Sequence, residues 1–134
     1  MDADPDLTAQ VAAAAPFTAF LGIEMVSASP HEVRARLAWR EDQCTAGGIM
    51  HGGALMGLAD NVGGFCAFLN LPEEASGTAT IESKTNFFGP VRKGYVNAVS
   101  RPLHTGRRTI VVDTELFDDA GKLVARVTQT QAVL

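Results

Sequence analysis

Cysteine is scarce in this sequence. Cys44 and Cys66 are the only two in 134 residues, they form no CxxC pair, and the three histidines complete no metal-ligand spacing with them. A disulfide scaffold and a zinc site are both excluded, and the two cysteines are read as reduced. Basic residues are too few to outweigh the acids, 11 against 15, so at a net charge of -4 the chain as a whole attracts neither nucleic acid nor anionic lipid. Any basic patch must be local. Long apolar runs are also missing, and the opening "MDADPDLTAQVAAAAP" is acidic where a signal peptide is basic. The expectation is a soluble, cytoplasmic protein with no membrane span. No GxSxG elbow occurs, and no serine has a histidine and an acid close by in sequence, which speaks against a serine hydrolase. Repeats, low-complexity tracts and linkers are absent. What is present, 46% hydrophobic residues, suffices for one core, so a single domain over 1–134 is expected.

Residues Leu7 to Ala15 read as a short Ala-rich helix stopped by Pro16, an N-terminal extension that leaves "PFTAFLGIEMV" to lead into a first extended segment. From His31 to Trp39 the pattern alternates, with Val33, Ala35, Leu37 and Trp39 on one face and Glu32, Arg34 and Arg36 on the other. That is a half-buried strand. Four further strand-like runs, "TATIESKTNFF", "GYVNAVSRPL", "RTIVVDTELF" and "KLVARVTQTQAVL", are rich in Val, Ile and Thr. "DDAG", Asp118 to Gly121, marks a hairpin turn because glycine takes the left-handed conformation there. The order of strand, strand, long helix and four strands predicts an α+β domain, an antiparallel sheet with one face covered by the helix.

The helix itself is unusual. "GGIMHGGALMGLADNVGG" carries seven glycines and one acid, Asp60, although each interior glycine costs a helix about 1 kcal/mol relative to alanine. Leu55, Leu58, Ala59, Val62, Phe65, Cys66 and Leu69 form the apolar stripe that faces the sheet. Asp60 lies off its centre, among Met56, Gly57, Gly63 and Gly64. One reading makes the glycines close-packing positions and Asp60 a solvated acid. Another gives them chemistry. Glycine at "HGG" leaves first-turn N–H groups open to a ligand, a potential oxyanion site, and a poorly solvated carboxylate has a raised pKa and is a stronger base. At 1.5 Å rise per residue, Asp60 lies about 12 Å along the axis from Gly52. Two antiparallel copies of the helix about a two-fold axis could unite Gly52 of one chain with Asp60 of the other.

"HGGALMGLADNVGG", with "AGGIM" before it and "TIESKTNFFGPV" and "LHTGRRTIVV" after it, resembles the hotdog-fold acyl-CoA thioesterases of the PaaI type, over nearly the whole chain from Pro16 onward. The resemblance implies a sheet wrapped round a central helix, dimers pairing into tetramers, and hydrolysis of acyl-CoA without metal or cofactor. By position it makes Asp60 the nucleophile or general base and Gly52 the residue whose N–H polarises the thioester carbonyl, with His51 before it in a supporting, capping or packing part and Gly53 beside it. Two positions depart from the family's pattern. Thr45 stands where Asn or Gln is frequent, with Gln43 nearby, and Gly64 where Ser or Thr is frequent. Asn86 is the residue suggested in their place for positioning water.

"HTGRR", His104 to Arg108, is a turn whose glycine opens the backbone and whose Arg107 and Arg108 offer bidentate donors to phosphate, with Gly106 between. Arg92 and Lys93 are expected to extend that patch. Phe65, Phe68, Phe87 and Phe88 are candidates for the acyl pocket or for plain core. His31 and His104 read as ordinary strand or turn residues. The function expected is hydrolysis of a small or medium acyl-CoA. A non-catalytic acyl-CoA-binding module and an acyl-thioester hydratase, in which His51 and Asp60 would act as a pair, are the alternatives.

Overall fold

A computed structural model describes residues 2–134. Asp4 accepts a hydrogen bond from Leu7 N–H at 3.0 Å and caps helix α1, Pro5–Ala14. Pro16 stops α1 and, after the extended residue Ala15, opens a second helix, α2, Pro16–Leu21. The segment that leads into the first strand is thus itself helical at its start. Proline lacks a donor that the first helical position does not need, and its fixed φ is already helical. Gly22, with φ 83°, takes the left-handed turn that ends α2.

Six strands follow: β1 (Glu24–Ser29), β2 (Glu32–Ala38), β3 (Thr78–Phe87), β4 (Tyr95–Thr105), β5 (Thr109–Phe117) and β6 (Leu123–Val133). Helix α3, Gly52–Leu69, stands between β2 and β3 in the chain. The strands form one antiparallel sheet in the order β1-β2-β4-β5-β6-β3. Short hairpins join β4 to β5 and β5 to β6. In the second, Gly121 takes φ 83° while the Asp118 carboxylate accepts from the N–H groups of Ala120 and Lys122.

Register shifts interrupt the ladders at Met25/Ser27, Thr80/Glu82, Pro102/His104 and Leu116/Phe117. Such bulges bend a strand and increase its twist, which curls this sheet round α3. Leu55, Leu58, Ala59, Val62 and Cys66 of α3 are buried with Ala35, Leu37, Val96, Ile110, Val112 and Leu116 of the sheet. Each large aliphatic side chain so buried contributes about 1.5–3 kcal/mol. Trp39 lies just past β2 and is only partly buried. Contrary to the sequence reading, α3 has by itself the length and apolarity of a membrane span. Here the sheet takes up its apolar stripe.

β3 is an edge strand. Most of its residues are exposed, and Ile81, Phe87 and Phe88 nearby remain 60%, 50% and 55% exposed.

Candidate functional site

The start of α3 is set up by the loop before it. Gly47 and Gly48 adopt φ of 81° and 71°, and the backbone carbonyl of Gln43 then accepts from His51 N–H at 2.8 Å. His51 is the N-cap: its Nδ1 accepts from Gly53 N–H at 2.8 Å, while its carbonyl accepts from Ala54 and Leu55. Gly52 N–H is thus the first-turn donor left without an acceptor among the described residues. A Cβ at residue 52 would stand 3.0 Å from Cζ of Phe87, so this donor lies beside an aromatic ring. Thr45 is exposed at the foot of the loop, and the Gln43 amide is committed to Leu21 C=O at 2.8 Å.

Asp60 sits two turns on. It borders a recess of about 370 Å³ between α1, α3 and the start of β3, where Val11, Ala14, Gly64, Phe65, Thr78, Thr80 and Gln131 are other walls. Asp60 is exposed by area but crowded by protein around this hollow, and the loss of hydration raises its carboxyl above the ordinary value of 3.8. No hydrogen bond or ion pair engages it among the described residues. Its surroundings are less apolar than the sequence suggested, because Asn61, Thr78, Thr80 and Gln131 bring amides and hydroxyls to the wall. Neither Gly52 nor Phe87 reaches this recess, in keeping with the separation of about 12 Å along the helix.

The glycines of α3 have separate duties. At Gly63 a Cβ would fall 2.4 Å from Oε1 of the fully buried Gln129, and at Gly57 it would meet Leu21 of α2 at 2.8 Å. Both are close-packing positions. Gly64 differs: no atom lies within 4 Å of its would-be Cβ, and it opens onto the recess beside Asp60.

Two sequence expectations are corrected. Asn86 does not face Asp60. It pairs with the exposed Arg126, on the side of the sheet away from α3, whereas Phe87 next to it turns toward Gly52. Arg92 and Lys93 do not join the arginine turn within one chain. They stand by the β5–β6 hairpin with Asp118 and Asp119, the whole length of β4, about 30 Å, from Arg107. The arginine turn itself forms the tip of the β4–β5 hairpin. Gly106 is required there, since a Cβ would approach His104 Nε2 to 2.6 Å and Thr109 C=O to 2.9 Å. Arg107 and Arg108 are exposed, have no ion-pair partner among the described residues, and border a hollow of about 720 Å³ with His104, Thr109 and Leu134. Of the phenylalanines, Phe65 lines the Asp60 recess and stacks on Phe68, itself 55% exposed, while Phe88 is exposed beyond β3.

A helix N-terminus with one free amide, a desolvated helical acid and a curled six-stranded sheet are the setting in which likeness to known proteins gains meaning. The family model described as the thioesterase superfamily matches residues 47–125, which include both ends of α3 and the arginine turn. The chain belongs to the thioesterase superfamily. Its fold is the hotdog fold, and thioester hydrolysis is the activity that membership supports. Among curated proteins it is 34% identical over 87 residues to the 1,4-dihydroxy-2-naphthoyl-CoA hydrolase of Escherichia coli, covering 65% of this chain and 63% of that protein. A solved thioesterase from Haemophilus influenzae superposes with a TM-score of 0.86 at 25% identity over 96% of this chain and 87% of the other. A variant of the phenylacetic acid degradation protein PaaI from Thermus thermophilus gives 0.81 at 28% identity, over 89% and 99%.

Sequence reasoning missed the β-strand side of the recess in this thioesterase. Gln131 carried one signal, the pattern "TQTQ", which sets two glutamines on the buried face of β6, and Thr80 carried none.

Proposed function

We propose that the protein hydrolyses a small or medium acyl-CoA thioester to the free acid and CoA, in a site shared between two copies of the chain. The observation that carries this reading is the division of labour along α3: an uncommitted N–H at Gly52 and a desolvated carboxylate at Asp60, too far apart to serve one carbonyl from one helix. A two-fold axis that sets two α3 helices antiparallel brings Gly52 of one protomer to Asp60 of its partner. The open edge of β3, with its apolar Ile81, supports such pairing. A dimer, or two dimers in a tetramer, is therefore the assembly proposed.

In this site Gly52 N–H stabilises the oxyanion that develops on the thioester carbonyl, and Asp60 attacks the carbonyl or takes the proton of an attacking water. The C–S bond breaks and the CoA thiolate leaves, to be protonated. His51 supports the donor as its cap, and Gly53 keeps the approach open. Arg107 and Arg108 grip the phosphates of CoA, offsetting an acidic chain locally. No cofactor is called for.

Two measurements test the proposal. A panel of acyl-CoAs with a thiol reagent reads free CoA, while absorbance of the acyl double bond reads hydration; release of CoA is expected. Asp60→Asn subunits are then mixed with Gly52→Pro subunits under exchange conditions. Proline suits the first helical position and deletes the donor, although Phe87 must yield slightly. The mixture should regain activity that neither parent has. If both variants fold and exchange without regain, the shared site is refuted.

A further inference from the structure

Asp60 alone cannot orient a water molecule. A carboxylate that accepts one of its protons fixes a single contact and leaves the lone pairs free to rotate, so a second group is needed. Helix α3 has little to offer: the Asn61 amide donates to Gly57 C=O and accepts from the Thr18 hydroxyl, and Gly64, one turn beyond Asp60 on the same wall, has empty space where a side chain would be.

The edge strand supplies one. Thr80 borders the same recess, and its Oγ1 accepts a hydrogen bond of 2.7 Å from Nε2 of Gln131. Gln131 is 2% exposed, and its Oε1 is held in turn by the Thr78 hydroxyl at 3.1 Å, so the amide has a fixed orientation. The two hydroxyls differ in what they have left. The proton of Thr78 is committed to Gln131 Oε1 and to Ala132 C=O at 2.8 Å. Thr80, having accepted from Gln131, keeps its own proton and has no other partner among the described residues. A buried glutamine on the core face of a strand costs desolvation that a Val or Leu does not. Here it fixes one threonine rotor beside a carboxylate.

We infer that Thr80, oriented by Gln131, positions the hydrolytic water beside Asp60. The water accepts from Thr80 Oγ1–H and donates one proton to Asp60, which leaves a lone pair for the acyl carbon. As the new C–O bond forms, that proton passes to Asp60, and the C–S bond then breaks with departure of the thiolate. The water stands in the recess between Thr80 and Asp60, with open room at Gly64 on the helix side. This inference rests on the thioesterase reading of Asp60 above and assigns Thr80 and Gln131 as positioning residues.

The test compares the wild type with Thr80→Val, Thr80→Ser and the double variant Thr80→Val/Gly64→Ser, using hexanoyl-CoA and benzoyl-CoA and reading kcat, KM and melting temperature. Thr80→Val should lower kcat about 10-fold or more with KM within about two-fold. Thr80→Ser should retain most of kcat, and Gly64→Ser, which returns a hydroxyl to the recess from the helix side, should recover part of what Thr80→Val loses. Thr80→Ala replaces Thr80→Val if the latter melts well below the wild type. The inference is overturned if Thr80→Val keeps near-full kcat, or if kcat falls only in step with melting temperature and neither hydroxyl restores it. Absence of CoA release by the wild type from either substrate and from the wider panel would instead refute the thioesterase proposal and this inference with it.

Discussion

Adjacent glycines in one helix should respond to the same methyl group with opposite signs. Gly63 and Gly64 both lie in the interior of α3, so replacing either with alanine gains about 0.5–1 kcal/mol of helix propensity. At Gly64 nothing lies within 4 Å of the new Cβ, and the gain stands alone. At Gly63 the Cβ would fall 2.4 Å from Oε1 and 2.8 Å from Cδ of Gln129, a side chain with no exposed surface and no hydrogen-bond partner to guide it elsewhere. Overpacking of this kind costs about 1–3 kcal/mol, which exceeds the propensity gain. For a chain of this size, 1 kcal/mol moves the melting temperature by about 3 °C. Gly64→Ala should therefore melt about 2–3 °C above the wild type and Gly63→Ala up to about 8 °C below it, by circular dichroism at one fixed protein concentration. A double-mutant cycle isolates the contact: in a Gln129→Ala background, Gly63→Ala fills vacated space and should stabilise. If Gly63→Ala stabilises the parent as much as Gly64→Ala does, Gln129 does not dictate glycine at 63.

Burial raises the Asp60 carboxyl in the folded protein, so the folded state holds its proton more tightly than the unfolded chain does. The resulting penalty is absent at low pH, grows as pH climbs past the unfolded value and is complete above the folded one. Asp60→Asn should accordingly melt higher than the wild type at pH 7, lose that advantage as pH falls toward about 4, and lower kcat by about 10² or more. The acid limb of wild-type kcat should lie above the ordinary carboxylate range. Replacing Arg107 and Arg108 with Glu should raise KM for acyl-CoA strongly, with added salt narrowing the gap, and leave a pantetheine thioester lacking the nucleotide unaffected. Equal loss on both substrates would make the turn structural.

The framework of this fold is written in short-range pattern. Alternation at Val33, Ala35 and Leu37 and the 3.6-residue stripe from Leu55 to Cys66 are local consequences of which face is buried, and the structure buries those faces. Pro16 does stop the first helix, but the second went unread because a proline that cannot continue one helix is equally suited to begin the next, and only the tertiary seat of α2 against α3 shows that it does. Asn86 misled for a different reason. Simple alternation from Thr80 puts residue 86 on the same face, but the bulge at Ile81 inverts the parity, so Thr85 and Phe87 turn inward instead. An insertion into a ladder depends on the partner strand, which lies more than forty residues away. The acid, the glycine start of α3 and the arginine turn were visible because each needs an unusual residue type. Thr80 and Gln131 were not, because two common residues become a pair only through the pairing of β3 with β6.

That pairing also sets a timetable for the nascent chain. β3 precedes β4, β5 and β6 in synthesis, yet its strand neighbour in the sheet is β6, so the strand that walls the Asp60 recess has α3 to lean on but no strand to pair with until the other three have been made. While the ribosome extends the chain, α3 can settle on β2, β4 and β5, but the exposed row from Thr78 to Phe88 must wait, unpaired and partly apolar. Vectorial folding of this protein therefore completes the wall of the Asp60 recess last, and the interval before β6 emerges is when the waiting strand is most open to pairing with the wrong edge.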